Sequence, residues 1–280
     1  MLFSDFIIST FVQTEFLMNK KKQSDKRPFR PNTKKRLSQR VQKVEKKDMR
    51  LNQFIAHAGI SSRREADELI KAGLVKVNGS IVLEMGFRVK DTDTVKFNNE
   101  TIRSETKRYL LLNKPKDFLT VTNDPRKKNV YSLIESACKE RLYPVGRLDK
   151  KTSGLLLFSN DGEMVKKLTN PRKPIKKIYH ITLDKNLKAN DMKRISEGIV
   201  LDGYKVLVDA ISYVQNSPKK EVGVELSFAK NNTLKTLFLQ LGYKLVKQDL
   251  VYYGGLTKKD ISRGKYRFLS EKEVAMLKMI

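Results

Sequence analysis

Asp149 closes the tetrapeptide Gly146-Arg147-Leu148-Asp149 and leads through Lys150-Lys151-Thr152-Ser153 into Gly154-Leu155-Leu156-Leu157-Phe158. A carboxylate in a tight Gly/Arg turn, beside cations and at the mouth of a Gly-led apolar strand, can stay ionised and act as a nucleophile or base. A turn Asp with no chemical role is common, so the motif draws its meaning from what surrounds it. A second cluster lies earlier, where Ser61-Ser62-Arg63-Arg64-Glu65-Ala66 opens a helix. Backbone amides and two arginines at a helix N-terminus form an anion site, and Arg50, Lys71 and Lys76 add charge nearby. The plainer reading of that cluster is a solvated helix start.

The elements that carry these residues fall into two groups. Leu51, Phe54, Ile55 and Ala58 recur at helical spacing up to Gly59, and Ser61 or Ser62 caps a second helix through Ile70. Val75 and Val77 alternate into the Asn78-Gly79 turn, a hairpin signal, and Ile81-Val82 return. Further short strands are predicted at 87–89 and 94–97. From Tyr109 onward apolar strands alternate with short helices: helices at 130–135, 162–168, 191–196, 234–241 and 271–280, and strands at 119–122, 155–159, 179–183, 206–214, 222–228 and 245–252. Ser270 and Glu273 form a capping box for the last helix. The pattern predicts an α+β protein: a small α+β domain over 49–106, then a larger domain over 107–280 with a mixed, mostly antiparallel sheet.

Bulk composition narrows the partners. Among 280 residues, 58 Lys and Arg stand against 31 Asp and Glu, a net charge of +27. That balance favours a polyanion, nucleic acid before membrane. Between Asn19 and Arg50 fourteen Lys/Arg face three Asp/Glu with almost no apolar residue, so residues 1–48 are expected to form a disordered basic extension that adds salt-sensitive affinity for phosphates. The first eighteen residues are apolar-rich, carry Asp5 and Glu15 and lack Lys and Arg. They fit neither a secretory signal nor a membrane span, and with Met18 heading Asn19-Lys20-Lys21-Lys22 the first seventeen are expected to be a misassigned start or a disordered leader. One cysteine, Cys138, and two histidines, His57 and His180, exclude a disulfide framework and a Cys/His zinc site. Cys138 is expected to be an inert thiol on a helix, and the counts fit a reducing cytoplasm and a chemistry that needs no transition metal.

The order Arg50-Leu51, Phe54, Gly59, Ser62-Arg63-Arg64-Glu65-Ala66, Leu69-Ile70, Gly73, Val75, Val77-Asn78-Gly79 resembles the S4-like RNA-binding domain. The large domain joins Leu112-Asn113-Lys114-Pro115, the 146–149 turn, Ser159-Asn160-Asp161-Gly162 and Lys177-Ile178-Tyr179-His180. Together the two domains resemble the RsuA/RluB family of ribosomal RNA pseudouridine synthases, from about Met49 to the C-terminus. The resemblance implies an enzyme that breaks the N-glycosidic bond of a uridine in RNA, turns the base and rejoins it through carbon 5, with no cofactor and no metal. The wording at 113–115, 122–125 and 143–149 looks closer to the large-subunit branch. The implied partner is ribosomal RNA or a precursor particle, with no membrane attachment, and a flexible hinge expected near Arg103–Lys107 suggests a monomer.

By the same resemblance Asp149 is the catalytic carboxylate, Arg147 wedges into the stack as the nucleotide flips, and Tyr179 sits against the uracil. Arg50, Ser61, Ser62, Arg63, Arg64, Lys71 and Lys76 form the RNA face of the small domain, and Lys177 adds a contact in the large one. For Tyr179 the alternative is an inward strand aromatic; for Lys177, a solvated lysine. One departure is visible. Lys230-Asn231-Asn232-Thr233-Leu234-Lys235-Thr236 stands where family members carry an Arg/Gln-rich stretch, so Lys235 takes the place of the arginine that pairs with the catalytic Asp. A lysine supplies charge without the bidentate fork. A non-catalytic RNA-binding or ribosome-assembly factor on a decayed synthase scaffold is therefore the alternative reading.

Overall fold

A computed structural model describes residues 48–90, 92–103, 105–120, 128–201, 203–227 and 232–280. The basic extension predicted for residues 1–48 lies, up to residue 47, outside the described residues. The chain divides into two units after Thr106.

The first unit opens with β1 (Met49–Arg50), then α1 (Leu51–His57) and α2 (Arg63–Lys71). Leu51 and Ile55 of α1 and Ala66 and Ile70 of α2 are buried, the i, i+4 stripe of an amphipathic helix. Ser62 caps α2: its Oγ accepts from the Glu65 amide at 3.3 Å, while the Glu65 carboxylate accepts from the Ser62 amide at 2.7 Å. The helices pack on β2 (Val75–Val77), β3 (Ser80–Ile81), β4 (Arg88–Val89), β5 (Val95–Phe97) and β6 (Glu100–Thr101). Sheet order is β3-β2-β5-β6, with β1 and β4 paired separately. Asn78 and Gly79 adopt φ of +51° and +87°, the left-handed pair that a two-residue hairpin requires.

The second unit contains β7 (Tyr109–Lys114), β8 (Tyr143–Pro144), β9 (Thr152–Ser159), α3 (Gly162–Leu168), β10 (Lys177–Leu183), α4 (Ala189–Glu197), β11 (Ile199–Leu201), β12 (Tyr204–Val206), β13 (Ala210–Tyr213), β14 (Glu221–Leu226), α5 (Thr233–Gln240), β15 (Leu245–Tyr253), β16 (Leu256–Thr257), β17 (Tyr266–Phe268) and α6 (Glu271–Met279). The main sheet runs β13-β14-β10-β15-β9-β7-β17. Among the described strands only β9 and β15 pair in parallel, so the sheet is mixed and mostly antiparallel.

Both faces of β7 and β9 are covered, which explains their unbroken apolar runs. Leu111, Leu155 and Leu157 pack with α3, α6 and Leu250, whereas Leu110, Leu112, Leu156 and Phe158 face Val130, Ile134 and Leu142. A further core joins Ile181, Val222 and Val224 to Leu234, Leu237 and Phe238 of α5. Tyr179 packs against this core and the α3–α6 core, at their junction.

Several local expectations change. The strand predicted at 206–214 is two strands, because β12 pairs with β11 while β13 pairs with β14; the chain changes partner between them. The helix predicted at 130–135 is a single 3-10 turn, Val130–Leu133, capped by Asn129. Of the strand predicted at 119–122 the described part is an isolated bridge from Leu119 to Asn129; residues 121 and 122 lie outside the described residues, as does residue 228 beyond β14. Cys138 is not on a helix but in an irregular segment, half-buried, where burial raises its pKa.

Candidate active site

The turn that presents Asp149 is fixed through its backbone. Gly146 takes φ +81° as the chain leaves β8. Thr120 grips Leu148 from both sides: its Oγ1 donates to the Leu148 carbonyl at 2.7 Å and accepts from the Leu148 amide at 3.1 Å. Beneath the turn Lys114 is fully buried. Its Nζ donates to the carbonyls of Thr152 at 2.6 Å, Asp149 at 3.0 Å and Pro115 at 3.3 Å. Burial pulls the Lys114 ammonium down to about 8; the negative charges of Asp149 and then Asp117 pull the other way.

Beyond Asp149 the chain enters β9 beside β15, with Gly154 opposite Leu250. Gly154 has φ +112°, and a Cβ there would lie 2.2 Å from the Leu250 carbonyl oxygen. Only glycine permits this approach. Alongside, Asp249 accepts two bonds from Arg263 at 3.0 Å each, one from Ser153 at 3.0 Å and one from Lys258. Arg263 also reaches Asn113 Oδ1 at 2.7 Å, so β7, β9 and β15 are tied together at the base of the Asp149 turn. Burial opposes the Asp249 charge, but Arg263 and Lys258 together hold its carboxyl below the usual range.

A cavity of about 910 Å³ opens over the sheet between the end of α3 and the start of α5. Asp149, Arg147, Lys177, Tyr179, Leu250 and Tyr253 are among its lining residues. Asp149 and Arg147 are exposed, and Tyr179 is half-buried on β10. Burial pushes the Tyr179 phenol up to about 12, with the Asp149 charge adding to the rise. Burial lowers the Lys177 ammonium, whose Nζ sits 5.9 Å from the Tyr253 ring centroid. The fold thus brings four of the sequence-predicted residues, Arg147, Asp149, Lys177 and Tyr179, to one cavity.

Lys235 stands apart. It is exposed on α5, and the cavity is lined by its neighbours Asn232, Thr233, Leu234 and Thr236. Among the described residues no side chain hydrogen-bonds or ion-pairs with the Asp149 carboxylate. Nor do three His, Cys, Asp or Glu side chains gather among the described residues as a metal site would need. Among them, too, no helix is long and apolar enough to cross a membrane.

In the first unit Ser61, Ser62, Arg63 and Arg64 gather at the start of α2, both arginines exposed. Lys71 lies at the other end of that helix, about 12 Å along the axis at ~1.5 Å per residue. Arg50 is exposed ahead of α1, and Lys76 Nζ donates to Asn99 at 2.9 Å.

Sequence reasoning assigned no role to Lys114, Thr120 or the Asp249–Arg263 pair. The one local signal was Asn113-Lys114-Pro115, a polar pair closing an apolar strand.

The family model for RNA pseudouridylate synthase matches residues 108–244, and that for the S4 domain matches residues 49–95. The chain is 33% identical over 235 residues to ribosomal large subunit pseudouridine synthase B of Bacillus subtilis, spanning 82% of this chain and 96% of that one. It is 28% identical over 230 residues to ribosomal small subunit pseudouridine synthase A of Vibrio cholerae, covering 82% and 99% of the two chains. A crystal structure of a pseudouridylate synthase superposes with a TM-score of 0.58 at 28% identity, over 82% of this chain and 99% of that one. The chain therefore belongs to the RNA pseudouridine synthases that carry an S4 domain ahead of the catalytic domain.

Proposed function

We propose that this synthase converts one uridine of ribosomal RNA, in the large subunit, to pseudouridine in the cytoplasm, with Asp149 as its catalytic carboxylate. The observation that carries the reading is the cavity itself: an exposed carboxylate on a backbone-fixed turn faces a half-buried tyrosine in a space that admits a nucleobase. Tyr179 stacks on the flipped uracil, Arg147 fills the gap the base leaves, and Lys177 contacts the RNA at the inner wall. The bond from nitrogen 1 to the sugar breaks, the uracil turns, and a bond forms from carbon 5 to the sugar; the proton on carbon 5 leaves to solvent and nitrogen 1 takes one up, so the product is an isomer of the uridine. Lys235 contributes positive charge at longer range. The start of α2, with Arg63 and Arg64 beside free amides, grips phosphates, joined by Arg50, Lys71 and Lys76. The large-subunit assignment draws on the Bacillus subtilis relative and on the wording of the 143–149 motif.

The test is tritium release from ribosomal RNA labelled at carbon 5 of uridine. Wild type is expected to release tritium; Asp149→Asn is expected to lose release by at least a thousandfold while RNA affinity stays within about twofold. Equal turnover by the variant would remove Asp149 from the chemistry. A second reading, a non-catalytic RNA-binding factor, is favoured by one observation: no described cation pairs with Asp149. Tight RNA binding without release from any ribosomal RNA or precursor particle would establish it.

A further inference from the structure

At the end of the sheet where β9 begins, three turns of the second unit are bonded into one surface. The Leu183 amide donates to the Lys220 carbonyl at 2.9 Å and the Leu187 amide to the Lys219 carbonyl at 3.1 Å. The Asp184 amide donates to the Lys244 carbonyl at 3.0 Å, and the Lys244 amide returns a bond to the Asp184 carboxylate at 2.9 Å. Lys247 follows on β15, opposite Thr182. Lys185, Lys188, Lys219, Lys220, Lys244 and Lys247 are all exposed here.

None of the six forms an ion pair among the described residues. Two of the nearby acids are engaged elsewhere, and Asp184, bonded to the Lys244 amide, also attracts the Lys185 ammonium. Asp191 takes the Tyr243 hydroxyl at 2.7 Å and Arg194 at 3.3 Å, and Glu221 takes the Thr182 hydroxyl at 2.9 Å. Two ammoniums are held over aromatic faces: Lys185 at 5.1 Å from the Tyr243 ring and Lys219 at 5.9 Å from that of Tyr213. Each ring is fixed by its hydroxyl, Tyr213 to the Leu187 carbonyl at 2.8 Å and Tyr243 to Asp191. Six lysines gathered on three bonded turns and the start of β15, with few acids among them, repel one another, and a polyanion relieves that repulsion.

The position suits such a partner. Thr152 lies opposite Gln248 in the parallel β9–β15 pair, so the Asp149 turn and the start of β15 leave the sheet at the same end. From β9 to β14 is three strand spacings, about 14 Å at ~4.8 Å each. We propose that this lysine end of the sheet is a second RNA-backbone contact, separate from the S4 domain and the cavity, that holds phosphates flanking the uridine at Asp149. The proposal rests on the RNA-modifying reading above.

The test compares two quadruple variants of the full chain on a ribosomal RNA transcript, by filter binding across a KCl series. One carries Lys185→Gln, Lys219→Gln, Lys220→Gln and Lys244→Gln. The control neutralises four exposed lysines elsewhere on the unit, Lys139, Lys166, Lys272 and Lys278. Each phosphate contact contributes about 0.7–0.9 to the slope of log K against log salt. The first variant, with four contacts removed, is expected to lose about 3–3.5 from that slope and the control less than 1. Equal losses in both variants, no loss in the first, or a wild type whose binding ignores salt would overturn the proposal. Tritium release is read in parallel. A slope that falls without any release leaves the lysine surface standing and rejects the synthase reading; release with an unchanged slope does the reverse.

Discussion

Replacing Lys114 by Met keeps the length and apolar stem of the side chain and deletes three hydrogen bonds beneath the Asp149 turn. The Asp149 carbonyl retains the Thr152 amide at 3.1 Å, and the Pro115 contact at 3.3 Å is weak. The main loss is therefore the charge-assisted bond to the Thr152 carbonyl, with a buried oxygen left bare. An ionic hydrogen bond contributes about 1.5–3 kcal/mol and a bare buried acceptor costs about 1–3 kcal/mol. Relief of the buried ammonium's desolvation offsets part of this, so a net cost of about 2–4 kcal/mol is expected. All ten tyrosines lie between Tyr109 and Tyr266 and the chain has no Trp, so tyrosine emission reports the second unit alone. Its urea midpoint is expected to fall by about 1–2 M at an m of about 2 kcal/mol/M. The pH dependence has a definite sign. Burial lowers the Lys114 pKa from 10.5 to about 8, so between those values the unfolded chain binds more protons and wild-type stability rises with pH. Lys114→Met lacks this contribution, and the gap between the two proteins is expected to widen from pH 8 to 10. A midpoint within 0.3 M of wild type, or a gap that narrows with pH, would refute the assignment of Lys114 as the support of the turn.

The other expectations concern the neighbours of Asp149. Gly154→Ala places a Cβ 2.2 Å from the Leu250 carbonyl at φ +112°, and a loss above about 3 kcal/mol is expected from strain and overpacking; a tyrosine-monitored midpoint within 0.5 M of wild type would contradict it. Tyr179→Leu is expected to slow single-turnover tritium release about 5- to 150-fold, the equivalent of about 1–3 kcal/mol of base stacking, while Tyr179→Phe stays within about threefold. Because burial pushes that phenol up to about 12, it stays protonated, and the wild-type and Phe rate profiles are expected to coincide from pH 6 to 9. Lys235→Gln is expected to reduce kcat/KM less than about fivefold, as for a solvent-screened surface charge; a hundredfold loss would instead mean that it pairs with Asp149 during reaction.

Much of the site was legible because its signals are local. Gly146, Arg147 and Asp149 sit in one turn, Ser62 and Glu65 in one helical turn, and Asn78-Gly79 is a hairpin by backbone conformation alone. The strand burying both faces was legible too, since Leu110-Leu111-Leu112 leaves no polar alternation to orient. Lys114 was not, because a lysine closing a strand reads as a solvated end until the Asp149 turn folds over it from 35 residues away. The Asp249–Arg263–Asn113 tie spans 150 residues, and no local pattern encodes it. Spacing placed α5 within one residue of its start at Thr233, but nothing local announced the left-handed Asn232 (φ +66°) ahead of it or that Lys235 would be exposed.

These two kinds of residue divide the work at the centre. The visible motif supplies the groups that face the cavity, and the long-range contacts supply only constraint: every described bond to the 148–152 segment from Thr120 and Lys114 ends on main chain, and none ends on the Asp149 carboxylate. A side-chain partner would fix the carboxylate and also neutralise it, whereas a backbone clamp fixes the turn and leaves the charge available. The long-range set must then be rigid rather than polar in any specific way. Weakening Lys114 should therefore lower stability and turnover together, while a change at Tyr179 should lower turnover and leave the fold intact.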